Sequence, residues 1–310
     1  MHSVFFDSTV SDDHRREQLY GGQLFVYSAT PGSVKLVEFA RGMIEDAFRG
    51  HDPELAQRDM PVEEYAKLLA DLKPKFIHHP RSKECLQEIL ADLGCDPEKT
   101  YFDVPRMRTS TSENYLTSGI AYAFHPHRDT WYSAPMCQVN WWLPIYPILP
   151  SNAMAFHPAY WNRPVRNGSR DYNYAEWNRT SRQEAAKHVT SDTRQQPKPE
   201  EPMELNPQLR LLPPPGGVIL FSGAQMHSSV PNDSGRTRFS IDFRTVHLDD
   251  VVSRRGAPNI DSECTGTSMR DYLRGTDLTH ISGGLCNSYE DGTPLVGAPE
   301  EEFAGAVSDF

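Results

Sequence analysis

The chain has 310 residues, 38% of them hydrophobic and 24% charged, with a formal net charge of -11 at pH 7. That length can bury a sizeable core, and so acidic a surface repels phosphate backbones, which argues against nucleic-acid binding. The five cysteines (Cys85, Cys95, Cys137, Cys264, Cys286) lack C-x-x-C spacing and read as reduced thiols. Neither "MHSVFFDSTVSDDHRREQLY" nor any later segment has an apolar run long enough for a signal peptide or a membrane span. The expectation is a cytoplasmic protein without membrane partners, its oligomeric state left open.

In chain order, "QLFVYS" at 23–28 reads as a short strand. In "GSVKLVEFARGMIEDAF", Leu36, Phe39, Met43, Ile44 and Phe48 fall at helical spacing, with Ser33 as N-cap candidate. "PVEEYAKLLADLKPKF" predicts a second helix with Pro61 in its first turn, and "SKECLQEILADLG" a third, closed by Gly94. The first hundred residues are therefore mainly helical. From Tyr101 the pattern changes. "SGIAYAFHPH", "MCQVNWWLPIY", "NAMAFHP", "GGVILFSGAQMHSSV" and "TRFSIDFRTV" are short, β-branched or aromatic, and bounded by turn residues. Successive strands without intervening helices predict an antiparallel sandwich or barrel. An insertion over 160–215 interrupts them, and a stretch that long is a lid, a binding loop or a linker. The chain after 250 predicts a surface extension with one short helix near "SMRDYLRG". The domain reading is one unit over 1–310, with a helical part (1–100), a β core (101–250) and an extension (251–310).

The chemistry concentrates in "AYAFHPHRDTWYSAP". On an extended segment, His127 and Asp129 share one face while Arg128 takes the other. The best third ligand is His227, just after the apolar "VILF". Two imidazoles and one carboxylate suit Fe(II) and leave three positions open. An iron centre that activates O2 needs electrons, which a 2-oxo acid can supply by oxidative decarboxylation. Its far carboxylate then needs a cation, and arginine presents a planar, permanently charged fork. Arg238 lies 238 − 227 = 11 residues past His227, and Arg236 shares its face by alternation. His125 neighbours the triplet and could orient a ligand or substrate. His157 reads as structural, and His78 and His79 as surface residues at a helix end.

With "HPHRD", "QVNWWLPIYPILPSNAMAFHP", "PGGVILFSGAQMHSSVPN" and "TRF" in this order, roughly residues 100–250 resemble the Fe(II)/2-oxoglutarate-dependent dioxygenases, and most of all their phytanoyl-CoA dioxygenase-like branch. The resemblance implies a mainly β fold with flanking helices, a double-stranded β-helix (a cupin-like jelly roll). It implies iron at His127, Asp129 and His227, the far carboxylate of 2-oxoglutarate on Arg238, and a hydroxyl contact to that cosubstrate from Ser229. Residues 160–215 match nothing in that pattern, so no substrate carries over.

Other candidates keep two readings. Gln138, Asn140 and Trp142 share a strand face that either looks into a cosubstrate cavity or pairs within the core. Arg244 either reaches a substrate pocket or pairs with Asp242. Arg163, Arg166, Arg170, Arg179 and Arg182, interleaved with Tyr160, Trp161, Tyr172, Tyr174 and Trp177, form either a solvated loop or a lid over an anionic or ring-bearing substrate. The functional expectation is an oxygenase that hydroxylates, or otherwise oxidises, an unactivated C–H bond of a small polar or anionic molecule. Chlorination is disfavoured, because Asp129 fills the position a halide would need. The competing readings are a cupin-like metalloenzyme without a 2-oxo acid, for which Arg238 is merely structural, and a non-catalytic small-molecule-binding protein on the same fold.

Overall fold

Thr30 and Pro31 begin the first long helix: the Thr30 hydroxyl accepts from Ser33 N, the Ser33 hydroxyl accepts from Thr30 N, and Pro31 has no N–H to leave unpaired. Ser33 is thus the inner partner of a capping box rather than the N-cap. In this computed structural model, residues 2–116, 125–180 and 196–290 are described. Their elements are β1 (Val4–Phe6), α1 (Asp12–Tyr20), β2 (Leu24–Tyr27), α2 (Pro31–Ala47), α3 (Val62–His78), α4 (Pro80–Asp92), β3 (Thr100–Phe102) and β4 (Arg106–Ser110). There follow β5 (Val139–Pro144), β6 (Met154–Phe156), α5 (Tyr174–Thr180), β7 (Leu209–Arg210), β8 (Val218–Ser222) and β9 (His227–Ser229). The last are β10 (Arg238–His247), α6 (Leu248–Ser253), β11 (Leu273–Arg274) and α7 (Gly283–Asn287). Pro61 caps α3 one position earlier than its sequence suggests, and the exposed His79 caps α4, its Nδ1 accepting from Arg81 N at 3.1 Å.

The larger sheet has the order β1-β2-β8-β5-β10-β3-β11, with β4 also paired to β10. It is mixed rather than purely antiparallel, because β1 runs parallel to β2. A smaller sheet has the order β7-β6-β9. "GGVILFSGAQMHSSV" is two strands, not one: a turn at 223–226 carries the chain from β8 in the larger sheet to β9 in the smaller. The insertion leaves β6 and returns to the same sheet as β7, its immediate partner. "SMRDYLRG" forms a 3-10 turn over Ser268–Asp271 and then β11, too short a run for an α-helix. The expected strand over 118–127 falls largely on residues outside those described.

Alternation sorts the larger sheet into two faces. Phe25, Trp141, Leu143, Leu220, Ile241 and Phe243 turn toward α2, α3 and α4 and merge with the buried stripes of those helices into one core. Leu24, Val26, Trp142, Ile219 and Phe221 turn the other way, against Met154 and Phe156 of the smaller sheet. The result is three layers: helices, larger sheet, smaller sheet. On the inner face of β10, the apolar pattern gives way to Arg238, Ser240, Asp242 and Arg244. Arg238, Asp242 and Arg244 line a cavity there.

The helical layer is fastened at Phe239, which is fully buried and meets Phe48 edge-on at 5.9 Å and Tyr146 at 5.9 Å. Phe239→Ala should destabilise the protein by about 3–5 kcal/mol. Urea unfolding followed by far-UV circular dichroism checks this; a midpoint unchanged from the parent protein would contradict the layered core.

Candidate metal centre and its cavity

His127 and His227 are exchanged backbone partners: His127 N donates to His227 O, and His227 N to His127 O, both at 3.0 Å. Directly opposed residues of an antiparallel pair project to the same side, and the two imidazole centroids lie 4.3 Å apart. Arg128 is extended and reverses direction, and Asp129 opens a 3-10 turn. Asp129 therefore returns to the face of His127, its Oδ1 3.4 Å from His127 Nε2 and 3.9 Å from His227 Nε2. One ligand atom from each of the three lies within 4.8 Å of the others, and all three residues are buried.

Both histidines turn Nδ1 to a backbone carbonyl: His127 to His125 O at 2.8 Å, His227 to Gln225 O at 2.9 Å. A carbonyl accepts only, so Nδ1 carries a proton and Nε2 is the nitrogen each ring turns toward Asp129 Oδ1. Burial, reinforced by the neighbouring His127, pushes the His227 pKa down to about 3, so its ring is neutral and able to donate to a metal. Burial alone would raise the Asp129 carboxyl, yet the Arg244 guanidinium beside it holds it well below the usual carboxylate range. Two imidazole nitrogens and a carboxylate oxygen around one point are a fitting donor set for a divalent transition metal.

Arg128, on the opposite face, is almost fully buried. It donates to Ala224 O at 2.6 Å and to Asp261 Oδ2 at 3.1 Å, tying the segment of His127 and Asp129 to the turn that delivers His227. The sequence placed Arg128 away from the metal face but did not show this bracing role.

The three residues open into a cavity of about 400 Å³. Arg238, Ser229, Gln138, Asn140, Trp142, Arg244 and Tyr172 all line it. Arg238 is buried; its Nη1 donates to Asn152 O at 3.0 Å and its Cζ lies 5.7 Å from the Trp142 ring centroid. Its Nε has no hydrogen-bond partner among the described residues. Burial lowers its pKa to about 10, which still leaves it charged at neutral pH. A buried guanidinium with an unused donor beside a cavity is suited to an anionic ligand.

Arg236 does not share that face. β10 begins only at Arg238, and the Gly235 turn (φ +69°) before it breaks the alternation. Arg236 is exposed, its Nη1 3.4 Å from Glu54. His125 also does not line the cavity; its Nε2 lies 2.8 Å from Pro197 O. Arg163, Arg166 and Arg170 are exposed and held elsewhere. Arg163 stacks over Tyr160, Arg166 donates to Glu200 O at 2.9 Å, and Arg170 pairs with the Glu200 carboxylate at 2.7 Å. The insertion reaches the cavity instead with Tyr172, Tyr174 and Trp177, while Arg182 lies outside the described residues. His157 is buried, its Nε2 3.0 Å from the Ser228 hydroxyl, as a structural histidine would be.

Three cavity cations escaped the sequence reading: Lys73 on α3, and Arg106 and Arg108 on β4. Burial, with Arg108 nearby, lowers the Lys73 pKa to about 7. The alternation of charge in "RMR" was a usable signal for β4; nothing local distinguishes Lys73 from a solvated helical lysine.

No protein-family model matches the chain, and no curated protein does. Among solved structures, the chain is similar to EvdO2 from Micromonospora carbonacea var. aurantiaca in complex with 2-oxoglutarate. The identity there is 14% and the TM-score 0.44, covering 78% of this chain and 93% of that one. It is similar to the non-heme monooxygenase ThoJ at 13% identity and TM-score 0.44, over 94% of each chain. It is also similar to the epimerase SnoN, in complex with Fe3+, alpha-ketoglutarate and nogalamycin RO, at 12% identity and TM-score 0.37, over 76% of this chain and 85% of that one. Likenesses this distant leave the reading of this chain to its own residues.

Proposed function

We propose that this chain is an Fe(II)- and 2-oxoglutarate-dependent oxygenase of the phytanoyl-CoA dioxygenase-like kind, built on a double-stranded β-helix. Its reaction is the oxidation of a C–H bond in a small polar or anionic molecule, hydroxylation being the default outcome, with release of succinate and CO2. The observation that carries this reading is the convergence, in one cavity, of the His127–Asp129–His227 donor set and a buried arginine with an unused N–H.

Iron held by the three residues would supply activation of dioxygen, coupled to oxidative decarboxylation of the 2-oxo acid. The protein's own residues bind, orient and exclude. Arg238 takes the far carboxylate of 2-oxoglutarate, with Ser229 as a hydroxyl contact and Trp142 covering the guanidinium. Asn140 presents its amide to the same space. Tyr132, Tyr172, Tyr174 and Trp177 form an aromatic wall that keeps water from the reacting centre. Among the described lining residues, four arginines (Arg106, Arg108, Arg238 and Arg244) and the partly charged Lys73 face three carboxylates, Asp103, Asp129 and Asp242. That excess of cations, inside a chain of net charge -11, supports an anionic substrate as well as an anionic cosubstrate.

His127→Ala, Asp129→Ala and His227→Ala should each abolish stoichiometric iron uptake and 2-oxoglutarate turnover. Anaerobic Fe(II) titration of the purified variants tests this, and full iron occupancy with activity in any one of them removes that residue from the ligand set. Arg238→Gln should weaken 2-oxoglutarate by on the order of 2–5 kcal/mol, the cost of losing one partner of a buried charge pair, while iron uptake stays intact. Arg236→Gln should change neither, because Arg236 is exposed and faces Glu54. Calorimetric titration of 2-oxoglutarate into the metal-loaded proteins separates the two arginines; an unchanged affinity in Arg238→Gln would overturn the cosubstrate assignment.

A further inference from the structure

We propose that Gln138 and Arg244 are positioning residues that restrict Asp129 to a single coordinating oxygen, and that Tyr272 brings the C-terminal segment into the metal site. The inference rests on the reading of His127, Asp129 and His227 as a metal centre, and not on the identity of the cosubstrate.

The two oxygens of Asp129 have different surroundings. Oδ1 faces the Nε2 atoms of both histidines. Oδ2 accepts from Gln138 Nε2 at 3.0 Å and from Arg244 Nε at 3.3 Å. One of these donors is charged, and charge-assisted hydrogen bonds are the stronger kind. A metal could reach Oδ2 only by displacing both.

Each donor is itself fixed. The amide of Gln138 is held at both ends: its Nε2 faces two acceptors, Asp129 Oδ2 and, at 2.8 Å, Asn140 Oδ1, and its Oε1 accepts from the Tyr272 hydroxyl at 2.7 Å. Tyr272 and Gln138 are both buried, so no solvent competes for these bonds. Gly223 leaves the room: a Cβ there would lie 3.2 Å from Gln138 Nε2 and 3.3 Å from its Cβ. Arg244 is anchored on the far side by Asp103, which accepts from Arg244 Nη1 at 3.1 Å and from its backbone N at 2.7 Å. None of these residues projects a ligand atom at the metal position. Their action is to decide which way the carboxylate points.

The consequence is a count of open positions. One oxygen from Asp129 and two imidazoles occupy three places of a six-coordinate ion, leaving two for a chelating 2-oxo acid and one for dioxygen. A carboxylate bound through both oxygens would take the last of these. Gln138, Arg244 and Tyr272 would therefore keep the dioxygen position free.

X-ray absorption on the Fe(II)-loaded, full-length protein under argon tests this, because a carboxylate bound through both oxygens brings its carbon close to the metal. The wild-type protein should show no such carbon. Gln138→Leu and Arg244→Met, each of which leaves Oδ2 with one donor, should show it at least in part, and Tyr272→Phe, which loosens the Gln138 amide, to a smaller extent. Should Arg244→Met fail to fold because Asp103 and Asp129 lose a buried cation, Gln138→Leu and Tyr272→Phe carry the test, since each removes polar groups and keeps bulk. A chelated carbon in the wild-type protein, or one-oxygen binding in every folded variant, overturns the proposal. A wild-type protein that takes up no Fe(II) overturns it together with the metal centre. Iron uptake without affinity for 2-oxoglutarate would contradict the proposed function alone, and the coordination mode would still decide this point.

Discussion

The site depends on one backbone contact, the reciprocal pairing of His127 with His227 at 3.0 Å in both directions. Residues a hundred positions apart are brought into register by two amide hydrogen bonds, and register in a sheet decides which face every side chain takes. A slip of one residue on either strand would turn one imidazole out of the cavity. The pairing is secured from behind by Arg128, whose guanidinium reaches Ala224 O and Asp261 together. Breaking this brace would leave a buried charge without its partners, which is far costlier than losing an exposed ion pair.

A second constraint follows from burying so many charges in one place. The inner face of the larger sheet carries Arg238, Asp242 and Arg244 on β10, and Arg106 and Arg108 on β4. Charges of both signs share acceptors along this face: Arg108 binds Asp242 through two nitrogens, and Asp103 accepts from both Arg106 and Arg244. The exception is Arg238, with one backbone carbonyl and an unused Nε. An enzyme that must capture an anion from water is served by one cation held back from the internal network, and neutralised only when the ligand arrives.

The sequence made the His127–Asp129–His227 cluster legible because alternation and strand order are short-range rules. H-x-D places two ligands on one side of an extended segment, and the apolar "VILF" announced the turn before His227. Arg238 was legible for the same reason, since it opens an unbroken strand of ten residues. Arg236 was misread because alternation was carried across a glycine turn where no strand exists. Arg163, Arg166 and Arg170 kept two readings in the sequence because composition shows charge and not the partner. Glu200 and nearby carbonyls, some 30 residues away, hold two of them outside the cavity. Lys73 and the Gln138–Tyr272 contact are long-range facts of packing, invisible to any local pattern. Helices α2, α3 and α4 were found by periodicity and α1 was not, and the cap of α2 is displaced by three residues because Thr30, not Ser33, precedes the helical proline.

The central claim is that one cavity binds both Fe(II) and a 2-oxo acid that chelates it. Anaerobic titration of the Fe(II)-loaded protein with 2-oxoglutarate, followed by visible absorption, measures the two together, because chelation of ferrous iron by a keto carboxylate creates a metal-to-ligand charge-transfer band. A saturable band that needs both components is expected. Tight, stoichiometric Fe(II) binding with no band at saturating 2-oxoglutarate would contradict it.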